Sequence, residues 1–595
     1  MAINTNIQTL ERPTTLVDNS GNSKLIEILS RWGVNLYAGV NGGGIIHVAK
    51  HLLPFEGLHQ ANDGIPRLFD VPESIASNIP IGYHFATGKV AASISTTAGA
   101  TLYGMLGLAN AKMHDVPYVG IFALNSTKTF GKGPLQDMTP DGMNSVAMIR
   151  AMVGDNCLII DDVGGLEKIL ARAQDILHQS KPVALMFHPD ILSQEINGFN
   201  VPWANKPREV NNKDLSMFLR YFPEETKGRR VIIYAGEEAA RYEGIQALTT
   251  SLSTLLKAPV IYSMNSVSAV AHNNPYAAGY IHLGFNDWTK KLWDGLSEKD
   301  VAVFLGFDPG EYELNLSNVK ADVWHFTNFT NPYGSKNGDF RHRVEGKYRQ
   351  VKGSIALSLE YLIPKLKENI EDRPNFFDIP QDLNTREIEE PKPGNVDLVK
   401  FYREFVRLVR PGTFIVNDVS QAYKDFQYVT QRPILGVKVW QPHRVSTMGD
   451  TFGVSVGLKI GDPNLHPHIF VGDGCFKYFS GALVNAQNLG ITVWVMDNGM
   501  YHIISKGLEV VMPKVERKRH HSKLQSVDFV KVAEAHGWDA YNLRPDLKNL
   551  EEIMTRVYSD SNKSVLVRIP VDGDVVIGQN PRLLGLRAHG VQTYL

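Results

Sequence analysis

Two short polar clusters in the carboxyl-terminal third of the chain carry residue types that bind a divalent cation. Gly472-Asp473-Gly474 and Asp497-Asn498-Gly499 each follow directly on an apolar, largely β-branched run. Asp473 offers a carboxylate oxygen, Asn498 an amide oxygen, and the backbone carbonyl of Met500 a third oxygen. A hard cation such as Mg²⁺ takes oxygen ligands and often shares them with a phosphate. Each tripeptide alone is common turn chemistry, and only the pair predicts a metal site.

The elements around these clusters must place them side by side. Residues 468–471 and 491–496 have the composition of buried strands, and Phe479, Leu483 and Leu489 recur between them near helical spacing. This order predicts a strand, loop, helix, strand and loop, with both clusters at the carboxyl ends of neighbouring parallel strands. Ligands of open α/β sheets bind at that edge.

The composition excludes several classes of protein. At 595 residues the chain is too long for one core, and about three or four domains are expected. The formal net charge of -1 argues against nucleic-acid binding. No apolar run is long enough to span a membrane, and the polar start lacks the layout of a secretory signal. Cys157 and Cys475 are too few for a disulfide framework, so we expect a cytoplasmic protein.

Alternating strand and helix patterns repeat in three blocks. Apolar strands are predicted at 89–96, 118–124, 157–161 and 183–187, then at 231–236, 258–263 and 301–308, and finally at 413–418 and 565–571 beside the two strands above. The repetition predicts an α/β protein with three doubly wound domains and mainly parallel sheets. We expect domains over 1–196, 213–366 and 396–595, with a charged, proline-rich linker over 367–395.

Motifs elsewhere in the chain extend the pattern. They are "YAGVNGGGII" (37–46), "VPESIASNIPIGYHFATGK" (71–89), "STTAGATLYGMLGLANAKMHDVPYVGI" (95–121), "NDVSQAY" (417–423) and "STMGDTFGVSVGLKIG" (446–461). Together with the two polar clusters they resemble, in order and over nearly the whole chain, thiamine-diphosphate-dependent enzymes of the acetolactate synthase and pyruvate oxidase type. Pro72 replaces the usual His of the second motif, and Asp497 replaces the first Asn of the metal motif.

The resemblance implies that thiamine diphosphate is bound through Mg²⁺ and that the three domains are the pyrimidine-binding, middle and diphosphate-binding domains. It implies that Glu73 activates the coenzyme by sharing a proton with its pyrimidine ring, and that Asp473, Asn498 and Met500 are metal ligands. It implies coenzyme contacts also for Val419, Ser420, Gln421, Ser446, Met448, Gly472, Gly474, Cys475 and Tyr501. No residue pattern demands FAD.

The resemblance also implies self-association. Glu73 and Asp473 lie in different domains, and the family geometry places the active site between two subunits. The expected assembly is a homodimer or a homotetramer that acts on small molecules.

Residues at the positions that select the substrate differ from those of the best-known branches of the family. The candidates are Gly43, Leu124, Asn125, Ile503 and Ile504. His502, beside the last two, is a candidate catalytic proton carrier because imidazole titrates near neutrality. A packing histidine is the alternative interpretation.

These departures predict a specialised carboligase, which decarboxylates a 2-oxo acid and adds the product to a second carbonyl compound. The segment 37–46 has no carboxylate or imidazole to protonate the product, which favours carboligation over aldehyde release. A simple 2-oxo acid decarboxylase, a C–C hydrolase of a cyclic diketone with the same coenzyme, and a non-catalytic relative stay open as alternatives. The tail at 578–595 is long enough to cover the active site.

Overall fold

A computed structural model describes residues 18–204, 208–307, 309–314, 318–329, 339–581 and 583. In these ranges the chain forms one sheet of seven strands and two sheets of six, and all strand pairings within them are parallel. This confirms the predicted class of three doubly wound α/β domains, whose limits stay predictions. No helix in the described ranges is both long and apolar enough to cross a membrane.

The amino-terminal sheet contains β1 (Leu36–Gly39), β2 (Leu53–Pro54), β3 (Arg67–Asp70), β4 (Ala92–Ser95), β5 (Tyr118–Ala123), β6 (Cys157–Ile160) and β7 (Pro182–Phe187). Their order across the sheet is β2-β3-β1-β4-β5-β7-β6. The helices are α1 (Gly21–Arg31), α2 (Ile46–Ala49), α3 (Glu73–Ala76), α4 (Ile79–Thr87), α5 (Gly99–Met113), α6 (Ser145–Val153), α7 (Leu166–His178) and α8 (Pro189–Leu192). Since α3 follows directly on β3, Glu73 lies at the carboxyl edge of this sheet.

The middle sheet contains β8 (Arg230–Ala235), β9 (Val260–Tyr262), β10 (Ala277–Tyr280), β11 (Asp300–Leu305), β12 (Asp322–Thr327) and β13 (Tyr348–Lys352). Their order is β10-β9-β8-β11-β12-β13. The helices are α9 (Asn212–Thr226), α10 (Ile245–Leu256), α11 (Asp287–Asp294), α12 (Glu311–Leu314), α13 (Asp339–His342) and α14 (Ile355–Asn369).

The carboxyl-terminal sheet contains β14 (Thr413–Asn417), β15 (Lys438–Trp440), β16 (His466–Gly472), β17 (Thr492–Asp497), β18 (Asp539–Asn542) and β19 (Val565–Pro570). Their order is β15-β14-β16-β17-β19-β18. The helices are α15 (Leu398–Leu408), α16 (Ala422–Thr430), α17 (Asp450–Gly461), α18 (Asp473–Phe476), α19 (His502–Val511), α20 (Phe529–Ala535) and α21 (Leu550–Ser559). Because the strands are parallel, the loops after β14, β16, β17 and β19 leave the same edge.

Close packing of α4 on α17 joins the first and third α/β units. A Cβ at Gly82 would overlap the backbone of Val454, and a Cβ at Gly457 would overlap the carbonyl of Ile79. Glycine therefore lets the two helix backbones approach within a distance that any side chain would prevent. The contact sets the segment behind Glu73 against the start of α17.

The predicted helix between the two polar clusters is wrong in detail. The segment folds as the single turn α18, followed by a 3-10 helix over Ser480–Ala486. Ser480 and Gly481 have low α-helix propensity, and they interrupt the apolar pattern on which the prediction depended. Phe479, Leu483 and Leu489, which carried that pattern, are buried. The strands β1, β2, β3, β10, β12, β13, β15 and β18 were not predicted.

Candidate active site

A cavity of about 430 Å³ lies along the carboxyl edge of the third sheet. The loops after β14, β15, β16 and β17 form one side, and residues 388–399 and 571–577 form another. The predicted carboxyl-terminal residues all line it: Val419, Ser420, Gln421, Ser446, Met448, Gly472, Asp473, Gly474, Cys475, Asn498, Met500, Tyr501, His502, Ile503 and Ile504. The fold thus gathers residues that the sequence analysis connected only through motifs.

Asp473 is buried at the start of α18 and ties the two polar clusters together. One of its carboxylate oxygens accepts a hydrogen bond from the Gly474 amide at 2.8 Å. The other accepts from the amides of Gly499 at 2.6 Å and Asn498 at 3.2 Å. Burial raises the pKa of Asp473 to about 6, and a bound cation would hold it ionised. A carboxylate has about four acceptor sites, so one stays available for a cation.

The oxygen donors of this edge suit Mg²⁺. The Asn498 side-chain oxygen accepts from the Met500 amide at 3.0 Å, which folds the loop back beside Asp473. Carboxylate, amide and carbonyl oxygens are the ligands that a small hard cation prefers. Among the described residues that line the cavity there is no Lys or Arg. A diphosphate in this cavity would therefore need a metal ion to balance its charge.

The turn at Gly474 packs closely against the ring of Tyr501. A Cβ at Gly474 would overlap the ring of Tyr501. The next residue, Cys475, donates a hydrogen bond from its thiol to the Val419 carbonyl at 3.1 Å, which links the loops after β16 and β14. Burial raises the pKa of the Cys475 thiol, so this group is a donor and not a nucleophile.

Asp418 supports the coenzyme loops from the interior, and the sequence analysis did not select it. One oxygen accepts from the Val419 amide at 2.7 Å; the other accepts from the Thr451 hydroxyl at 2.5 Å and the Gly449 amide at 3.1 Å. Burial raises its pKa. Asp418 therefore holds the turn at Met448 and Gly449, the Met448 turn, to the loop after β14. Its place immediately before Val419 in "NDVSQAY" was the available signal.

His502 faces the cavity as a neutral imidazole. Its side chain is buried, and among the described residues neither ring nitrogen has a hydrogen-bond partner. Burial, together with the nearby cations Lys506 and Arg517, lowers the pKa of His502 to about 4. Both ring nitrogens are thus available to a ligand, but protonated imidazole is scarce at neutral pH. Its catalytic role stays a prediction.

Asp425 is a cavity-lining carboxylate that the sequence analysis missed. It accepts hydrogen bonds from the Gly578 amide at 2.9 Å and the Gln421 side chain at 3.2 Å. Burial raises its pKa to about 7, so it can hold or release a proton near neutrality. Asp425 lies one helical turn after Gln421 on α16, and that spacing would have identified it.

Three further segments supply carboxylates to the cavity. Glu389 lies in the linker, Asp397 caps the start of α15, and Asp572 follows β19. The Lys392 amide donates to Asp572 at 2.9 Å, and Arg386 donates to the Ile577 carbonyl at 3.0 Å, which joins the linker to the segment after β19. No local sequence pattern indicates this placement. In the tail, residues 584–595 lie outside the described residues. The expectation that the tail covers the active site therefore stays a prediction.

The predicted amino-terminal residues lie apart from this cavity. Glu73 is half-buried at the first position of α3, Gly43 is exposed, and Leu124 and Asn125 are buried. None of the four lines the cavity. One chain therefore assembles the predicted diphosphate and metal residues without the predicted activating carboxylate.

Asn125 has a structural contact. Its side-chain oxygen accepts from the Met138 amide at 2.6 Å, and its side-chain nitrogen donates to the Gln136 carbonyl at 3.1 Å. Both bonds hold the loop at 135–138 beside β5. Its role in substrate selection stays a prediction.

A second ionisable cluster lies where the three α/β units meet. His114, Glu237 and His443 place their nitrogen and oxygen atoms within 4.8 Å of one another. Arg241 and Arg444 pair with Glu237 at 3.0 and 3.3 Å. Two guanidinium groups oppose the binding of a further cation there, so we interpret the cluster as an ion-pair network between domains.

The matches to known proteins agree with this fold. The chain matches the family described as "Thiamine pyrophosphate enzyme, N-terminal TPP binding domain" over residues 19–145, and its "C-terminal TPP binding domain" over 425–569. It is 22% identical over 622 residues to the acetolactate synthase large subunit of Lactococcus lactis, across 96% of this chain and 97% of that protein. It is also 22% identical to the acetolactate synthase isozyme 2 large subunit of Escherichia coli, across 87% of this chain and 90% of that protein.

A solved structure shares the architecture. The thiamine diphosphate-dependent 4-hydroxybenzoylformate decarboxylase of Rhodococcus jostii RHA1 matches with a TM-score of 0.75, over 93% of this chain and 99% of that chain, at 16% identity. At that identity the likeness concerns the fold. The chain belongs to the thiamine-diphosphate-dependent enzymes of the acetolactate synthase and pyruvate oxidase-like family, and thiamine diphosphate is its coenzyme.

Proposed function

We propose that this enzyme, with thiamine diphosphate and Mg²⁺, decarboxylates a 2-oxo acid and joins the remaining acyl unit to a second carbonyl compound. The observation that carries the proposal is the single cavity that gathers the oxygen donors, the diphosphate loops and Met448 at one sheet edge. The relatives named acetolactate synthase support carboligation as the reaction class.

Each residue has a proposed task in that reaction. The bound coenzyme supplies the carbon nucleophile and accepts the electron pair when carbon dioxide leaves. Asp473, Asn498 and the Met500 carbonyl would hold the metal ion, and Met448 would support the ring system. Glu73 would hold a proton at the pyrimidine nitrogen, as a positioned general acid–base group does.

Apolar side chains near the metal loop favour transfer to an acceptor over release. Ile503, Val571, Val575 and Ile577 line the same cavity. A wall of this kind keeps water from the reacting carbon, so that a second carbonyl compound can react first. Ile503 and Ile504, with Gly43, Leu124 and Asn125 from the other half, are our candidates for substrate contacts.

The proposed working unit contains two copies of the chain. Glu73 does not line the cavity that holds Asp473. A second copy can bring its own Glu73 to the coenzyme, so we propose a homodimer as the smallest active assembly and leave a homotetramer as an extension of it.

Simple decarboxylation is the second candidate function. Asp425 and His502 line the cavity and offer groups that can carry a proton. A proton delivered to the reacting carbon would release an aldehyde before an acceptor arrives.

The test is a panel of 2-oxo acids, including pyruvate and aromatic and indolic pyruvates, each with and without an aldehyde or ketone acceptor. Carbon dioxide release and mass spectrometry of the products are measured. We expect a coupled product from at least one pair, and loss of that product with excess chelator or in Asp473→Asn.

The outcomes of the panel separate the candidates. Rapid aldehyde formation without a coupled product from any pair would replace carboligation by decarboxylation. A cyclic diketone is supplied alone as a further substrate, and its cleavage without carbon dioxide would favour the C–C hydrolase. Full activity in the presence of excess chelator would contradict the metal assignment.

A further inference from the structure

Asp450 is a buried carboxylate that the proposed reaction does not use. It is the first residue of α17, two positions after Met448, and its exposed fraction is 4%. Its two oxygens accept hydrogen bonds from the side-chain nitrogens of Asn78 at 3.2 Å and Asn110 at 2.6 Å. The Asn110 nitrogen also lies 2.9 Å from the Asn78 side-chain oxygen, and both asparagines are fully buried.

The three residues join elements of two domains. Asn78 lies between α3, which begins at Glu73, and α4. Asn110 lies on α5, and Asp450 follows the Met448 turn of the third α/β unit. The cluster therefore connects the segment that carries Glu73 to the turn that carries Met448 within one chain.

The Met448 turn is held from two sides. On one side, Asp418 accepts from the Gly449 amide and the Thr451 hydroxyl. On the other side, Asp450 contacts the asparagines of the first domain. Apolar packing alone would join α4 to α17, whereas directional hydrogen bonds between these buried side chains favour one arrangement of the two helices.

We propose that Asp450 is a positioning residue, which keeps the Met448 turn in register with the α3–α4 segment that carries Glu73. The inference rests on the proposed function, because a shift of one element against the other would move Glu73 or Met448 away from the coenzyme that it serves. In the proposed dimer, Glu73 and Met448 of one chain serve two different centres. The register between the two elements within one chain would then affect both centres of the dimer.

The buried surroundings of Asp450 make its charge sensitive to pH. Burial, with the neighbouring Asp418, raises its pKa to about 7. The groups that face it are Asn78, Asn110, the Thr447 hydroxyl and Asp418. Two interacting carboxylates titrate as a pair, so the cluster is expected to respond to pH near neutrality.

The first test uses the coenzyme-free chain and does not depend on activity. Hydrogen exchange with mass spectrometry follows peptides over 72–80 and 445–452 in Asp450→Asn. We expect both peptides to exchange faster together, by about tenfold or more. The double variant Asn110→Asp/Asp450→Asn returns one carboxylate to the cluster and should restore protection. The control is Asp115→Asn, which alters another buried carboxylate, one that pairs with Lys181 and does not line the cavity.

The second test adds thiamine diphosphate, Mg²⁺ and the 2-oxo acid that the wild type consumes. Asp450→Asn should lower kcat by about 10- to 100-fold and change KM by less than about threefold, because misplaced groups slow the reaction more than they weaken binding. The double variant should recover about tenfold of that loss. Should Asp450→Asn fail to fold, Asn78→Ala removes one donor to Asp450 and carries the same comparison.

The failures are distinguishable. Turnover of Asp450→Asn within about twofold of the wild type, or an equal loss in Asp115→Asn, would overturn the inference and leave the proposed function intact. Independent exchange of the two peptides would also overturn it. A wild-type chain that does not bind thiamine diphosphate would overturn the proposed function and this inference together.

Discussion

The two halves of the proposed active site differ in how far one chain assembles them. In the carboxyl-terminal half, every predicted contact lines one cavity of about 430 Å³. In the amino-terminal half, Glu73 is half-buried and Gly43 is exposed, and neither lines that cavity. Loops that leave one edge of one sheet lie side by side within a single chain. Residues of the amino-terminal domain reach the coenzyme only if the cavity of a second chain lies opposite them.

Exposed apolar side chains near both halves indicate where that surface would come from. Tyr103 and Leu135 in the amino-terminal unit are 56% and 91% exposed, and Tyr478 and Ile504 beside the cavity are 57% and 54% exposed. A second copy of the chain that packs over these side chains would bury them. The comparison of the halves therefore favours the proposed dimer, and three experiments test it.

We expect the largest effect from a substitution of Glu73 in the amino-terminal half, which should lower turnover but leave coenzyme affinity nearly unchanged. Glu73→Gln keeps the shape of the side chain, but an amide cannot share a proton, so turnover should fall on the order of 10²–10⁴-fold. Coenzyme affinity, measured by fluorescence titration, should change only a few-fold. Glu56→Gln, an exposed glutamate of the same domain, is the control. Near-normal turnover in Glu73→Gln would mean that another group activates the coenzyme.

An intermediate effect tests whether the halves belong to different chains. Glu73→Gln and Asp473→Asn chains, each nearly inactive alone, are co-expressed and purified as a mixture. A mixed two-fold dimer has one centre with both wild-type halves, so about a quarter of the wild-type activity should return.

The homodimers of each variant, mixed only after purification and without exchange of subunits, are the control. If each centre belongs to one chain, the co-expressed mixture will be no more active than the parents. That result would contradict the proposed two-chain site.

We expect the smallest effect in the carboxyl-terminal half, where Asp425 should make the stability of the chain depend on pH. Burial raises the pKa of Asp425 from 3.8 to about 7. The folded chain then keeps a proton that the unfolded chain releases, so this residue makes stability fall as the pH rises from about 4 to about 7. Asp425→Asn removes that contribution. The free energy of unfolding of this variant should therefore fall less than that of the wild type over the same pH range, by on the order of 1–4 kcal/mol.

Thermal unfolding of the coenzyme-free chain at about pH 5 and about pH 8 measures this difference. Asp155→Asn, at an exposed position, should follow the wild type. Parallel pH profiles of Asp425→Asn and the wild type would show that Asp425 is not the proton-holding group of the cavity.

Prediction from the sequence succeeded for the fold class and failed at interruptions of local patterns. The strands β5, β7, β14 and β17 were predicted nearly to the residue, because buried parallel strands are continuous apolar runs. Short strands such as β2 and β15 were missed, since two or three residues carry too little pattern. Asp418 and Asp425 were within reach, because each lies beside a predicted coenzyme residue.

The family, the three parallel sheets and the carboxyl-terminal residues expected to bind the coenzyme can all be predicted from the amino-acid sequence. Turn chemistry and apolar periodicity are encoded within a few neighbouring residues, so both can be read along the chain. Three other features emerge only in the folded chain: Glu73 lies outside the cavity, residues 388–399 and 571–577 enclose it, and Asn78 and Asn110 contact Asp450. Those placements depend on the packing of elements hundreds of positions apart, where no local pattern carries the information.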